Sequence, residues 1–424
     1  MPWSIVSDSV RCYAVLALLI SIGTVHTFRH HRPRLQSAHV TRNEFDWNLA
    51  REVFQHENSN AVFSPFSIKL LLTLLYEAAE PGSVTQIELE KALCDRDLNR
   101  TRDFYKQFLD MSTQTSDDYV FDIGTKLFME KSYGKIDGNY QELLEQTYRS
   151  SFDRVALNET KATVDQINRW CEKVTRGRIT ELVTEDLLQD TQLILANVLF
   201  LKASWKNSFP DDKTHNRTFH LADGTSTVTT EFMHQTDLYD YTVHEGLGAE
   251  VLRLPYKGRH FSMNMILPHR NVSLASVANA LTPEVVQSIV ELFVREEVSV
   301  LIPKFRFNYG TLLNDAIRSL GIRDVFTSNA SLPLLSSTDN FAKKDDHKNS
   351  LQVSKILQKA GIEINEKGTL AFAATEIQLV NKFGYDGDPI EFEANRPFLF
   401  YILDEETNAI LFVGKVVDPS RSTP

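Results

Sequence analysis

The side chains that could catalyse a reaction do not stand in the spacings that known catalytic mechanisms require. The chain contains no G-x-S-x-G turn for a nucleophilic serine, no H-E-x-x-H helix for zinc and no paired Cys/His spacing for a metal. Its twelve histidines are scattered along the sequence. A hydrolase is therefore disfavoured, and we expect no enzyme, no metal site and no cofactor.

A different kind of chemistry is suggested by residues 366–388, where the residues of 368–375 are mostly small and Lys382 follows in N-K-F-G. Alternate residues of an extended strand face the same side. One side would carry Thr369, Ala371, Ala373 and Thr375, and the other Leu370, Phe372, Ala374 and Glu376. Side chains as small as the first set can enter a packed sheet without overpacking it.

Composition and charge are those of an ordinary folded protein. Of the 424 residues, 42% are apolar and 24% charged, and the formal net charge is −11. This charge argues against generic nucleic-acid binding, which needs a basic face. Neither a Gly/Ser-rich nor a Pro-rich linker divides the chain, and it contains no internal repeat. We therefore predict one intertwined domain.

The N-terminus is typical of a secretory signal. Arg11 precedes an apolar run at residues 12–22, which is shorter than the roughly 20 residues that span a bilayer. We predict a signal peptide over residues 1–27, cleaved between 23 and 28, and a secreted, extracellular protein. Residues 28–40 would form a flexible basic arm, with polyanion contact or proteolytic processing as open alternatives.

Export allows both glycosylation and disulfide formation. Removing the signal leaves Cys94 and Cys171, too few for a disulfide framework, so the core must hold the fold. The sequence leaves open whether the two pair, and we expect free, buried thiols. Five asparagines begin N-x-[ST] sequences and are candidates for glycans: Asn99, Asn158, Asn216, Asn271 and Asn329.

Hydrophobic periodicity predicts an α+β protein. Thr41 and Glu44 have capping-box spacing at the start of one helix, and a second helix follows Pro65. Residues 162–178 form a third, amphipathic helix. Strands are predicted at five segments, residues 192–201, 261–267, 298–302, 397–403 and 409–416.

Three long sequence blocks resemble, in the same order, segments of the serpin family of serine protease inhibitors. N-A-V-F-S-P-F-S-I at 60–68 is similar to the start of the family's second helix. A-N-V-L-F-L-K-A-S-W at 196–205 resembles its central strand, and F-E-A-N-R-P-F-L-F-Y-I at 392–402 its C-terminal signature. Shorter matches are L-P-Y at 254–256, I-P-K-F at 302–305, L-G-I at 320–322 and G-K-V-V-D-P from Gly414.

The resemblance implies a single serpin domain over residues 41–424. That domain has a large central mixed sheet, surrounding helices and an exposed reactive-centre loop, here residues 366–388. In the family, the positions of Ser64, Ser67 and Asn197 form a buried hydrogen-bond cluster that controls the opening of the sheet. The family's usual histidine is replaced by Gln358, which can donate and accept at once. Trp205 is assigned to the same sheet-opening cluster and corresponds to the family's buried tryptophan where the loop enters.

The resemblance also implies a suicide-substrate mechanism. The hinge comprises Glu366, Gly368, Thr369, Ala371, Ala373 and Thr375. Counting fourteen residues from Gly368 as in the family gives Lys382–Phe383 as the scissile bond. A lysine before that bond suits a trypsin-like protease, whose specificity pocket carries a buried carboxylate. The protease would be trapped as an acyl-enzyme while the cleaved loop inserts into the sheet.

The N-K-F-G string at residues 381–384 narrows the implied target. It resembles the reactive site of insect haemolymph serpins that restrain melanization, and the N-R-F-G-type activation site of prophenoloxidase. The implied protein is a monomer of the haemolymph that acts in innate immunity. Its implied partner is a trypsin-like serine protease in covalent complex, with a clip-domain prophenoloxidase-activating protease as candidate.

Two alternatives stay open. The family commonly has an acidic residue at the position of Leu370 and alanine at that of Phe372, so a non-inhibitory carrier or storage serpin is the second hypothesis. If the face with Phe372 passed beneath a covering helix, insertion would slow. The second alternative is a polyanion site on a cluster of basic residues. These alternate with Asp95, Asp97 and Asp103, so we interpret the cluster as a solvated mixed-charge face. These basic residues are Arg96, Arg100, Arg102 and Lys106.

Overall fold

The apolar run after Gln192 forms β4, Leu193–Ala203, the middle strand of a five-stranded mixed sheet. β4 pairs in parallel with β11, Val353–Ile364, and antiparallel with β2, Tyr119–Glu130. The edges are β10, Phe305–Leu312, and β3, Ser151–Val155. The computed structural model describes residues 44–93, 97–112, 119–157, 159–336, 351–368 and 387–421. Because β4 is buried on both faces, it needs apolar side chains on both.

A second, nine-stranded sheet contains the remaining strands of the described residues. They are β1 Ala61–Phe63, β5 His215–His220, β6 Thr227–His244, β7 Ala249–Pro255, β8 Phe261–Pro268, β9 Val294–Pro303, β12 Ile390–Glu393, β13 Phe398–Asp404 and β14 Ile410–Val416. Their order is β1-β14-β13-β8-β7-β6-β9-β12, with β5 paired to β6. The C-terminal hairpin β13–β14 therefore lies inside the sheet.

Nine α-helices surround the two sheets in the described part of the chain. They are α1 Glu44–Gln55, α2 Pro65–Ala78, α3 Val84–Leu93, α4 Leu98–Ser112, α5 Gly138–Gln146, α6 Thr160–Val174, α7 Leu274–Ala280, α8 Pro283–Leu292 and α9 Asn314–Ser319. The main core joins the nine-stranded sheet to one face of the five-stranded sheet. None of the described helices is both long and apolar enough to cross a membrane.

Helix α2 lies under the five-stranded sheet and is buried along nearly its whole length. Pro65 occupies its first turn, where a missing N–H is tolerated. Ser64 is the N-cap, and its Oγ accepts a hydrogen bond from the Ser67 amide at 3.2 Å. The helix contacts both β4 and β14. These contacts hold the N-terminus of α2 against the sheet.

Helix α6 covers part of the opposite face of the same sheet. Ile167 and Cys171 are fully buried in the clusters that include Ile194 and Val198 of β4. The helix ends at Val174, so its predicted extension to residue 178 is wrong. The chain leaves the helix because Arg176 and Gly177 have φ of 52° and 79°, in the left-handed region.

The other predicted elements are confirmed within a few residues. The helix after Pro65 is α2, and the buried strand after Gln192 is β4. The remaining predicted strands are β8, β9, β13 and β14. The first predicted helix is α1, whose proposed cap Thr41 lies outside the described residues.

A buried ion pair ties α1 to α2. Lys69 Nζ lies 2.8 Å from Asp46 Oδ1 and 2.9 Å from Oδ2. Burial raises the pKa of the Asp46 carboxyl from 3.8 to about 6, although Lys69 opposes the shift. Because this pKa is higher in the folded state, the stability that Asp46 contributes is complete below pH 3.8. It is lost as the pH rises through about 6.

We expect Asp46→Asn to remove this pH dependence, because an amide does not ionise. The free energy of unfolding of the variant minus that of the wild type should therefore rise from pH 4 to pH 7.5, by up to about 3 kcal/mol. Urea unfolding at both pH values measures the difference. Asp212→Asn, at an exposed carboxylate, is the control and should show no such trend. A difference for Asp46→Asn that stays constant or falls with pH would contradict the expectation.

Candidate functional site

The boundary between β4 and β11 carries a buried polar pair. Gln358 and Asn197 are direct partners in the parallel register, and both are essentially inaccessible to solvent. The Gln358 Nε2 donates to Asn197 Oδ1 at 2.8 Å. A side-chain hydrogen bond therefore links the two strands in addition to their backbone ladder.

Gln358 also joins this boundary to the N-terminus of α2. Its Oε1 accepts from the Ser64 amide at 2.7 Å, and its Nε2 donates to the Ser64 carbonyl at 3.2 Å. Ser64 Oγ in turn donates to Ser67 Oγ at 3.1 Å. Both ends of the glutamine amide are therefore used, as its mixed donor and acceptor character allows.

Asn197 extends the cluster to a third strand. Its Nδ2 donates to the Gly124 carbonyl and to Thr125 Oγ1 of β2, both at 3.1 Å. Thr125 was not predicted from the sequence, because no local sequence signal marks it. Its role follows only from the register, in which Thr125 is paired with Asn197.

Trp205 is not part of this cluster but lies beyond the end of β4. Its indole Nε1 donates to the Asn365 carbonyl at 3.0 Å, and its amide donates to the Lys367 carbonyl at 2.9 Å. Its ring stacks on Tyr256 with centroids 4.5 Å apart and planes 8° apart. Trp205 therefore holds the chain that follows β11 against the end of β4.

Gly368 ends a tight turn at the same place. The amides of Asn365 and Gly368 each donate to the other's carbonyl, at 2.9 and 3.0 Å. Gly368 has φ of 115° and forms an antiparallel bridge with Ser204. A Cβ on Gly368 would lie 2.3 Å from the Ala203 carbonyl oxygen, so only glycine fits.

Glu366 is fixed on the other side of the turn. Its Oε1 lies 3.1 Å from Lys304 Nζ and accepts from Thr214 Oγ1 at 2.8 Å. Burial opposes ionisation of Glu366, but hydrogen bonds from its own backbone, Thr214 and Lys304 hold the pKa of its carboxyl below the usual 4.5. Glu366 is thus an anionic anchor at the point where the loop leaves the sheet. Lys304 was not predicted as a site residue, although it belongs to the I-P-K-F string at residues 302–305.

The chain is similar to known proteins over most of its length. The family model described as "Serpin (serine protease inhibitor)" matches residues 40–419. The chain belongs to the serpin family. Serine protease inhibitor 2 of Anopheles gambiae is 38% identical over 383 residues, which is 89% of this chain and 91% of that protein. Membership supports a protease inhibitor rather than an enzyme, with a serine protease as partner.

Solved serpin structures share the fold over almost the whole chain. Human thyroxine-binding globulin with thyroxine has a TM-score of 0.80 and 26% identity, covering 90% of this chain and 98% of that one. Serpin48 of the insect Tenebrio molitor, described as highly specific, has a TM-score of 0.78 and 25% identity. That match covers 91% of this chain and 99% of the other.

Several of the other predicted residues of this serpin cannot be located in the described part of the chain. Those that lie outside the described residues are Thr369, Ala371, Ala373, Thr375, Lys382, Phe383, Cys94, Arg96 and Asn158. Cys171 is buried, and its thiol lies 3.4 Å from the Ile179 carbonyl oxygen. Desolvation raises the pKa of this thiol to about 12. The cysteine is therefore an unreactive core residue.

Two of the basic residues weighed for a polyanion site are bound to carboxylates. Arg102 Nε and Nη2 donate to the two carboxylate oxygens of the buried Glu77, at 2.7 and 2.6 Å. Lys106 pairs with Asp110 at 3.0 Å on the same helix. These partners are Glu77 and Asp110 rather than the interleaved aspartates considered from the sequence.

We expect Gln358→Ala to lower the free energy of unfolding of the intact serpin by about 2–4 kcal/mol. The substitution leaves the Ser64 amide and the Asn197 side-chain oxygen buried without their partner. Guanidinium unfolding of the intact protein measures the loss. Gln189→Ala, at an exposed glutamine, is the matched control and should change stability by no more than about 0.5 kcal/mol. Equal effects of the two variants would show that the cluster does not hold the sheet together.

Proposed function

We propose that this serpin is a secreted suicide-substrate inhibitor of trypsin-like serine proteases. The observation that carries the proposal is the arrangement at Gly368. There the chain leaves β11, turns, and is already paired antiparallel to the end of β4. A loop cut further along can continue this pairing between β4 and β11.

The register of that continuation can be read from the bridge between Gly368 and Ser204. In an antiparallel pair, each step forward in one strand is a step back in the other. The small face of the loop then meets the core face of β4, which carries Ala203, Leu201, Leu199 and Asn197. The residues that would meet them, in the same order, are Thr369, Ala371, Ala373 and Thr375. Small side chains suit a face against which the main core is already packed.

The same register gives the polar cluster a partner after insertion. Thr375 would arrive between Asn197 and Gln358, whose mutual hydrogen bond must break for the strands to separate. A hydroxyl group both donates and accepts, so it can bond to both amide side chains. The buried groups that the opening separates are thereby satisfied again.

Inhibition would follow from the geometry of the acyl-enzyme. The protease serine attacks the Lys382 carbonyl, the amine of Phe383 leaves, and an ester joins Lys382 to the protease. Inserting the fourteen residues from 369 to 382, at roughly 3.3 Å each, would carry the ester some 45 Å along the sheet. Tension on the ester would then displace it from the oxyanion donors and general base, so water could not complete hydrolysis.

The cleavage string and the relatives point to an insect protease cascade. N-K-F-G at residues 381–384 resembles an activation site of the melanization pathway, and the Anopheles relative is itself named a serine protease inhibitor. We therefore propose a clip-domain prophenoloxidase-activating protease as the physiological target, met in the haemolymph as a monomer. Secretion is supported by four exposed sequon asparagines, Asn99, Asn216, Asn271 and Asn329.

A carrier function is the second candidate, because thyroxine-binding globulin, which was solved with thyroxine, shares the fold. A carrier does not need to trap a protease. The hinge distinguishes the two functions, since small residues at alternate positions matter only to a loop that inserts. The inhibitor is therefore the favoured function.

Mixing the serpin with excess trypsin should give a covalent complex that survives denaturing electrophoresis. Its mass should approach the sum of the two proteins. Mass spectrometry should find a released C-terminal fragment that begins at Phe383. Lys382→Ala should lose at least about tenfold in complex formation, because alanine cannot reach the pocket carboxylate. Lys367→Ala, at a lysine near the hinge, is the control and should retain the complex. Cleavage without a complex would favour the carrier, and a different fragment start would move the scissile bond.

Cleavage should also make the serpin more stable. We expect the nicked protein to unfold at a clearly higher guanidinium concentration than the intact one, because insertion replaces one strand boundary by two. A protease that cuts anywhere between residues 376 and 386 serves for this measurement. Equal unfolding midpoints would mean that no strand is inserted, and inhibition by this mechanism would be excluded.

A further inference from the structure

We propose that Gly361 and Phe200 form a slot for the side chain of Phe372 in the cleaved, inserted form. The inference rests on the proposed insertion but concerns a different face of the sheet from the small-residue face. It assigns Phe372 a positioning role, although the family commonly has alanine at that position. The occupant is thus a named residue of this chain.

The slot is built from direct partners across the β4–β11 boundary. Gly361 pairs with Phe200, and both are buried. A Cβ on Gly361 would lie 2.9 Å from Phe200 Cδ2 and 2.5 Å from Asn308 Oδ1. In the intact sheet, the phenylalanine ring therefore occupies the space that a side chain at position 361 would need.

The guanidinium of Arg178, in the segment that follows α6, contacts the ring of Phe200. The Arg178 guanidinium carbon lies 4.8 Å from the ring centroid, within the range of a cation–π contact. Arg178 is itself fixed by Asp122, with Nη1 3.2 Å from Oδ2. When β11 moves away from β4, this contact would hold the Phe200 ring on the side of β4. The surface above Gly361 would then be open.

The register places Phe372 in this opening. Continued from the bridge between Gly368 and Ser204, residue 372 comes opposite Phe200 and directly between Phe200 and Gly361. Directly opposite residues in a sheet have Cβ atoms about 5 Å apart, close enough for an aromatic pair. On its other side, the ring covers a glycine that offers no side chain, as aromatic residues do for glycines in designed sheets. Phe372 would therefore fill the gap between the two strands.

The cover of α6 explains why a large residue is tolerated at this position. Val174, the last residue of α6, packs over Gly124, which pairs with Val198 of β4. The loop residue opposite Val198 would be Ala374, which is small. Phe200 lies one step further along the same face, next to Arg178 and beyond the helix. Phe372 would therefore not pass under α6, but the hydrogen bond from Asn308 Nδ2 on β10 to the Arg178 carbonyl, at 3.5 Å, would have to break for it to enter.

A double-mutant cycle on the cleaved protein tests the slot. The variants are Phe200→Leu, Phe372→Ala and the pair together, each cut between residues 376 and 386 by a protease that is not trapped, and then unfolded in guanidinium. We expect the double variant to lower the unfolding midpoint by clearly less than the sum of the two single losses, because both remove the same contact. Ile377→Ala is the matched control, since it falls on the core face, five residues away. Its loss should add to that of Phe200→Leu. Additive losses for the Phe200–Phe372 pair would overturn the slot.

Complex formation gives a second measurement, which needs no change in the core. If Phe372 fills a slot, Phe372→Ala should leave unchanged or reduce the fraction of serpin that traps trypsin. A higher trapped fraction would mean that Phe372 obstructs insertion, and the inference would be wrong. The two proposals fail in different ways. A wild-type serpin that gains no stability on cleavage overturns the insertion itself, whereas a gain with additive losses overturns only the slot.

Discussion

The structure depends on how β4 and β11 are held side by side. Their parallel ladder lies in the middle of the five-stranded sheet, and the proposed insertion of the loop would occur there. Entry would widen the separation of the two strands from about 4.8 Å to about twice that value. One ladder would be broken and two would be made, so the opened and filled sheet has more backbone hydrogen bonds. Under the proposed insertion, the intact form would be a kinetically trapped state, and the barrier would come from interactions that are lost before the new ones form.

The polar cluster is well suited to supply such a barrier. Apolar contacts weaken gradually as strands separate, but a buried donor that loses its partner loses nearly the full benefit at once. Gln358 contacts Ser64 on α2 and Asn197 on β4, so opening the boundary strains both contacts together. The penalty would be temporary, since a hydroxyl on the entering strand can satisfy the same groups. Trp205 and Gly368 act at the other end, where they hold the loop's first residues ready to pair.

Local sequence patterns predicted three of the described helices and five of the described strands, and the family resemblance predicted most of the cluster. Pro65 with Ser64 marks the start of α2, and the apolar run after Gln192 marks β4. The contacts of Thr125, Thr214 and Lys304 could not be predicted, because each depends on a strand or turn that is distant in sequence. The end of α6 was missed because Arg176 adopts a positive φ, which its residue type does not signal. Trp205 was grouped with the cluster from sequence, but it lies at the far end of β4.

The two faces of the β4–β11 boundary impose different limits on an entering strand. The core face is closed along its length, because Leu199, Leu201 and their neighbours belong to the main core. The other face is covered by α6 and by Ile179, Val183 and Leu188 of the segment that follows it, and next to Phe200 it is bordered by Arg178. Side-chain size at the core-facing positions closest to the hinge is therefore restricted, while at the other set the restriction depends on which segment covers the sheet. A phenylalanine close to the hinge on the second set is compatible with both limits, and on the first set it would violate the packing of the core.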